Sequence, residues 1–475
     1  MKVCVNPCKQ MGTVQRIGKY YSKNLDKVLP LLRSEGGTVI EYQVLENLKQ
    51  QGFALDPEID NKSNVDFNQY FGALAKYGSK VDWQPDEGVL NEAIKVAYRV
   101  FGGNQSLHPL VEKEEIYQAL KLEKSSGAPS FTTKGDAFET DFKRSERIAR
   151  GDRAPEPCIG YRRVQHGNDS SGPKTRLVWG YPLSMTILEA KYARPLIDEY
   201  LSQRSVMAFG LHRHELASRL VRIENSNLKY SLDFSSFDSS IHPRLIDVAF
   251  KVLKTNFDPE LVNKGEWDSI VHYFIHTPIV MPDGLLYKKH QGVPSGSYFT
   301  QLVDSIVNFI VLQYMSFKST SQPIREDKVL VLGDDSVFSF DKHLPLELIA
   351  KVIGDLGIKV NAQKSRIVKG MKQSLEFLGH VWVKGLVNRE EIEIAKRMAF
   401  PERHIQIDDP RKRIVTRVLA YGSDALNAHL IINRWSIYKG PNVMGMYFRD
   451  VLSHPVTGWQ EFVQSESGFS AYPKT

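Results

Sequence analysis

The chain has 475 residues, 42% hydrophobic and 25% charged, ordinary for a folded soluble protein and long enough for roughly three domains of about 150 residues each. Its 62 basic and 55 acidic residues leave a formal charge of +7, too mild to name a partner. Three cysteines, Cys4, Cys8 and Cys158, exclude a disulfide framework and a zinc ligand set, and no apolar run approaches a membrane span or a signal-peptide core, so a soluble cytosolic protein is expected.

Residues 1–110 read as mixed helix and loop, with a helix around 87–101 and no recognisable chemistry. KSSGAPSFTTKGD (124–136) is a Gly/Pro/Ser-rich loop, followed by a basic helix over 137–153. TRLVWG, within 172–182, reads as a turn into a strand, and a helix follows over 183–203. From Asp141 to Arg176 there are nine Lys or Arg and five Asp or Glu, so more than half of the chain's excess charge sits in one stretch. A second basic group comprises Arg411, Lys412, Arg413 and Arg417.

Lys229 to Phe234 reads as a short strand. Pro243 opens a helix over 243–255, where the first turn has no N–H partner to lose. Residues 256–290 read as an insertion. A helix rich in apolar residues is expected from Ser295 to about Met315. VLVL, GDD and SVFSF read as a β-hairpin with the acidic pair in its turn. LELIAKVIGDLG (346–357) is an amphipathic helix capped at Gly357. LEFLGHVWV (375–383) reads as a strand pair or bent strand, and residues from 391 onward as mainly helical. An α+β class follows.

The acidic residues carry the chemistry. Asp233 and Asp238 stand five apart in LDFSSFD, and Asp334 and Asp335 follow about a hundred residues later. Each group lies at the end of a short apolar strand. Two such strands side by side would converge carboxylates on one point, a common arrangement for two Mg²⁺ ions. Gly333 allows a turn with positive φ. A lone GDD is a weak signal, since Asp and Gly are ordinary turn residues. GDD with DxxxxD upstream and SGxxxT between is a strong one.

In this order the motifs resemble those of viral RNA-dependent RNA polymerases, most closely the polymerases of partitiviruses and picobirnaviruses, whose genomes are double-stranded RNA. KSSGAPS resembles motif G, RR…GPKTRLV motif F, LDFSSFD motif A, GVPSGSYFTQLVDSIVN motif B, LGDDS motif C, NAQKS motif D and EFLGH motif E. The match covers roughly residues 124–383. It implies a right-hand fold of fingers, palm and thumb, with an antiparallel palm sheet flanked by helices. The expected division is 1–228 for an N-terminal extension and fingers, 229–390 for the palm with 256–290 as a fingers insertion, and 391–475 for the thumb.

The resemblance also implies roles. Asp233 and Asp334 would hold two Mg²⁺ ions, with Asp335 assisting and Mn²⁺ able to substitute. Lys174 and Arg176 would meet the nucleotide triphosphate, for which the fixed donor fork of Arg is well suited. Arg162 and Arg163 line the RNA channel or stand as solubilising charges. Ser295, Gly296 and Thr300 would contact nucleotide or template. Lys364 would protonate pyrophosphate, or is an exposed flanking lysine. Asp238 would accept a hydrogen bond from the ribose 2′-OH. Many related enzymes have Asn where this chain has Asp304, and Asn308, one turn further on the same face, could supply the missing amide. The expected partners are RNA template and product, NTPs and a viral capsid protein, with no membrane, in the virion interior or host cytoplasm. Two alternatives stay open: a reverse transcriptase-like polymerase, against which Asp238 in place of a bulky aromatic argues, and a non-catalytic RNA-binding or assembly protein.

Overall fold

The computed structural model describes residues 14–22, 24–33, 40–60, 67–165, 174–203, 205–211, 213–370 and 374–400. Cys4, Cys8, the basic group Arg411, Lys412, Arg413 and Arg417, and the expected thumb segment beyond residue 400 lie outside the described residues.

The N-terminal elements are β1 (Gln15–Lys19), α1 (Leu25–Arg33), α2 (Tyr42–Gln50), α3 (Pro57–Asp60), α4 (Phe67–Lys76), α5 (Glu87–Phe101), α6 (Lys113–Gln118) and α7 (Lys134–Ala149). Next come β2 (Cys158–Gln165), β3 (Lys174–Gly180), α8 (Leu183–Ser202), α9 (Arg213–Glu224), β4 (Leu228–Leu232), α10 (Phe237–Ser240), α11 (Pro243–Lys254), α12 (Lys264–Ile275), β5 (Pro278–Val280) and β6 (Leu285–Lys288). The chain continues through α13 (Thr300–Thr320), β7 (Val329–Leu332), β8 (Asp335–Ser339), α14 (Leu346–Gly354), β9 (Arg366–Lys369), β10 (Leu375–Phe377), β11 (His380–Val383), β12 (Leu386–Asn388) and α15 (Glu391–Ala399).

The local reasons are those of the sequence. Asp86 caps α5 by accepting from the Val89 N–H at 3.3 Å, and Thr133 caps α7 by accepting from the Asp136 N–H at 3.2 Å. Pro243 sits in the first turn of α11, as expected. The helix α14 ends at Gly354, and the turn beyond it closes at Gly357 with φ +72°. LEFLGHVWV resolves into the antiparallel pair β10 and β11.

Two sheets position the site. The first is antiparallel, in the order β7-β8-β4-β9. Its inner face carries Tyr230 and Phe338 stacked at 5.0 Å, and every residue of β7 is buried. Against it lies α13, with every side chain from Leu302 to Ser316 buried, which also packs on α5. Such all-round burial explains why α13 has no polar face. The second sheet, β1-β6-β5-β2-β3, draws its strands from three distant stretches. Two of its strands, β5 and β6, come from the expected 256–290 insertion.

Two helices are displaced from expectation: α7 runs Lys134–Ala149, not 137–153, and α13 runs Thr300–Thr320, not from Ser295 to about Met315. Residues 294–299 form a separate turn, closed by the Thr300 hydroxyl donating to the Pro294 carbonyl at 2.6 Å. Among the described residues no helix is long and apolar enough to cross a membrane.

Candidate active site

The β4/β8 register aligns the carboxylates. Leu232 pairs with Ser336, so one step further Asp233 comes opposite Asp335, with Asp334 in the adjoining hairpin turn. Gly333 takes φ +61°, as a tight turn here needs. The turn is fastened from α13: Ser305 Oγ accepts from the Gly333 N–H at 2.9 Å, and Asn308 Nδ2 donates to the carbonyls of Gly333 at 2.9 Å and Asp335 at 3.3 Å.

On the other side, Asp233 is tied to the segment before β9. Its N–H donates to Ser365 Oγ at 3.1 Å, and its carbonyl accepts from the Asn361 N–H at 2.8 Å. This brings Lys364, exposed, to the same cleft, where its charge opposes the rise in the Asp334 pKa.

The carboxylates perturb one another. Asp334 is exposed at the turn, yet desolvation by the surrounding protein raises it, Asp233 adds to the rise, and Arg176 and Lys364 oppose it. Asp335 is raised well above the usual carboxylate range by burial, then by Asp334, Asp233 and Glu376. Asp238 is pushed up to about 7 by burial and Asp334, against the pull of Arg176. Buried Asp304 on α13 is raised well above its ordinary value by burial, Asp238 and Asp334, and its Oδ1 has no hydrogen-bond partner.

Among the described residues no group of three or more His, Cys, Asp or Glu side chains is arranged to hold a metal ion. The donor set nevertheless fits one in chemistry. Asp233, Asp334 and Asp335 are hard oxygen donors on adjacent strands, and their mutual repulsion is what a divalent cation relieves.

Arg176 is exposed on β3 and its charge reaches Asp238, Asp334 and Asp335. Lys174 opens the same strand, but its side chain lies outside the described residues. The adjacent arginines of β2 separate. Arg163 pairs with Arg176, whereas Arg162 pairs with Leu177 and donates to the Leu32 carbonyl at 2.9 Å. Arg162 thus fastens α1.

The loop before α13 is threaded against β3. Ser295 Oγ accepts from the Trp179 N–H at 3.3 Å. A Cβ on Gly296 would lie 1.7 Å from the Trp179 carbonyl oxygen, so no other residue fits there. Thr300 is engaged with Pro294, as described.

Asn308 does not take the place expected of it. It is fully buried and its amide is committed to the hairpin carbonyls, so it is a fastener of the GDD turn and not a ribose contact.

Sequence reasoning missed three neighbours. Tyr77, from the N-terminal region thought to carry no chemistry, is buried with its hydroxyl donating to the Val293 carbonyl at 3.0 Å, and its pKa is raised by burial, Asp238 and Asp304. Glu376 on β10 adds a further carboxylate near Asp233 and Asp335. Glu189 on α8 accepts from the loop before α13. No local pattern marks any of them.

The family model for viral RNA-dependent RNA polymerases matches residues 170–409, half of the chain and the stretch that carries these carboxylates. The chain belongs to the viral RNA-dependent RNA polymerase family. An RNA-directed RNA polymerase of Cryptosporidium parvum virus 1 is 28% identical over 375 residues, covering 71% of this chain and 70% of that one. An RNA-directed RNA polymerase of Atkinsonella hypoxylon virus is 34% identical over 202 residues, covering 37% of this chain and 30% of the relative. In three dimensions the chain is similar to the crystal structure of the RNA-dependent RNA polymerase of a human picobirnavirus, with TM-score 0.68 and 15% identity, over 95% of this chain and 87% of that one. The α+β right-hand polymerase fold is therefore the fold of this chain, and RNA-directed RNA synthesis is its activity. The reverse transcriptase-like and non-catalytic alternatives fall away.

Proposed function

We propose that this polymerase joins NTPs by two-metal nucleotidyl transfer, replicating and transcribing the genome of a double-stranded RNA virus. The observation that carries this reading is the alignment of Asp233, Asp334 and Asp335 across the β4/β8 pair. These three carboxylates would hold Mg²⁺, with Mn²⁺ able to substitute. Bound there, the metal would activate the primer 3′-oxygen and neutralise the triphosphate and departing pyrophosphate. Arg176 and Lys174 bind and orient the triphosphate, and Arg163, on the same face, extends the positive strip for RNA.

Ser295, Gly296 and Thr300 shape the nucleotide's seat. Asp238 accepts a hydrogen bond from the 2′-OH, and Asp304 behind it, raised by burial, keeps a proton and avoids a second buried charge. Lys364, at the rim of the cleft, delivers a proton to pyrophosphate. Residues 1–228 form the N-terminal extension and fingers and 229–390 the palm. Residues 256–290 return to the fingers, a division favoured by the pairing of β5 with β2, and 391–475 form the thumb. The enzyme would work within a capsid, in the virion interior or the host cytoplasm, as the double-stranded RNA viruses among its relatives suggest.

The test is incorporation of labelled rNTP on an RNA template by purified protein. Synthesis should need Mg²⁺ or Mn²⁺ and stop on chelation. Undiminished synthesis in a chelator would overturn the two-metal reading.

A further inference from the structure

The loop from Pro294 to Phe299 is held on both sides. On one side is β3, where Ser295 accepts from the Trp179 N–H and Gly296 packs against the Trp179 carbonyl. On the other is Glu189, in the middle of α8 and 1% exposed. Both carboxylate oxygens are committed to the loop. Oε1 accepts from the Ser297 hydroxyl at 2.7 Å, and Oε2 accepts from the Tyr298 N–H at 2.9 Å. Ser297 Oγ in turn accepts from the Phe299 N–H at 3.0 Å. The three bonds fix consecutive residues from 297 to 299, directly after the two that touch Trp179.

A buried carboxylate is costly unless it is paired, and among the described residues Glu189 has no cation within ion-pair distance. The charge it feels is that of Lys134 on α7, whose Nζ lies 5.9 Å from the centroid of the Tyr298 ring. Burial pushes Glu189 up to about 8, against the two loop bonds and Lys134, and burial draws Lys134 down to about 8 while Glu189 opposes. An apolar residue would fill the site at less cost, so core packing alone does not account for a carboxylate there. A pair of acceptors facing a hydroxyl and an N–H one residue apart is a clamp on the path of the backbone.

We propose that Glu189 is a positioning residue, whose two-oxygen clamp on Ser297 and Tyr298 sets the backbone that presents Ser295 and Gly296 to the incoming nucleotide. The proposal rests on the reading of that loop as part of the nucleotide seat. Arg176 lies three residues before Trp179 on β3, so the loop that Glu189 holds abuts the strand that would carry the triphosphate contact.

Glu189→Gln tests it at constant size. The Gln amide nitrogen cannot accept, so one of the two loop donors must lose its partner. The loss of one buried hydrogen bond should raise KM for rNTP by up to about tenfold, with kcat changed less and RNA affinity unchanged. Ser297→Ala added to Glu189→Gln removes one donor and lets the Gln carbonyl turn to the Tyr298 N–H, so KM should fall back toward the wild-type value. A merely structural role would lower the yield of folded protein without this recovery. If Glu189→Gln does not fold, Ser297→Ala alone should raise KM by about threefold, since the Tyr298 bond remains. The proposal is overturned by a KM within twofold of wild type in Glu189→Gln or, where that variant does not fold, in Ser297→Ala, and equally by a raised KM that the second substitution leaves in place. Asp334→Ala assayed alongside separates the two levels. If it is inactive while KM in Glu189→Gln is unchanged, the clamp fails and the site stands; if it is active, the site itself fails.

Discussion

Asn308→Ala distinguishes a fastener of the GDD turn from a ribose contact. The substitution removes an amide that donates to the carbonyls of Gly333 at 2.9 Å and Asp335 at 3.3 Å, at a position with no exposed surface. Both carbonyls flank Asp334. Leaving a buried acceptor unsatisfied costs about 1–3 kcal/mol. Asp335 is the more weakly held of the two, and the Asn308 Oδ1 already lacks a partner, so its removal releases a little of that cost. A net loss of about 2 kcal/mol is therefore expected. The Gly333 N–H keeps its bond to Ser305, so the hairpin should survive with a looser turn. Urea denaturation should show the stability loss, and single-turnover incorporation should slow for rNTP and dNTP alike. The ratio of kcat/KM for rNTP over dNTP should stay near that of the wild type. A selective collapse of that ratio, with stability intact, would refute the assignment and return Asn308 to the ribose.

Other substitutions probe the rest of the cleft. Asp304→Asn should stabilise the metal-free protein: because its folded pKa is raised, the carboxyl destabilises increasingly as pH rises above its unfolded value near 4, so the variant's advantage in denaturation should grow from pH 4.5 toward 8; an advantage that shrinks over that range would count against a buried, unpaired carboxyl. Asp238→Ala should reduce discrimination against dNTPs, read as the same kcat/KM ratio, and an unchanged ratio would remove Asp238 from ribose recognition. Arg163→Gln should lower the slope of log RNA affinity against log salt by about 1, whereas Arg162→Gln should leave the slope alone and lower stability; equal slope changes would contradict the separation of the two side chains.

The legible parts of the molecule were those written in short stretches of sequence. The strand–turn–strand around Gly333, the strand ending before Asp233, the helix opened by Pro243 and the buried helix with Ser305 and Asn308 all follow from period and turn chemistry within a dozen residues. The mixed sheet β1-β6-β5-β2-β3 did not. Its strand β1 is exposed throughout and carries no alternation, and β5 has only three residues, so neither announces itself without its partners. The helix α13 starts later than Ser295 because Ser295 bonds to, and Gly296 packs against, Trp179 of β3. Glu189 and Tyr77 act through contacts more than a hundred residues away in sequence, which no local pattern encodes. Arg162 and Arg163 looked equivalent as neighbours, and only strand register divides them.

The central claim is that Asp334, in the turn between β7 and β8, is a metal-binding carboxylate of RNA synthesis. Its most direct test is labelled rNTP incorporation in Mg²⁺ by Asp334→Ala, with folding verified by circular dichroism and melting. The account predicts a folded protein with nearly all incorporation lost. A folded variant that incorporates at the wild-type rate would contradict it.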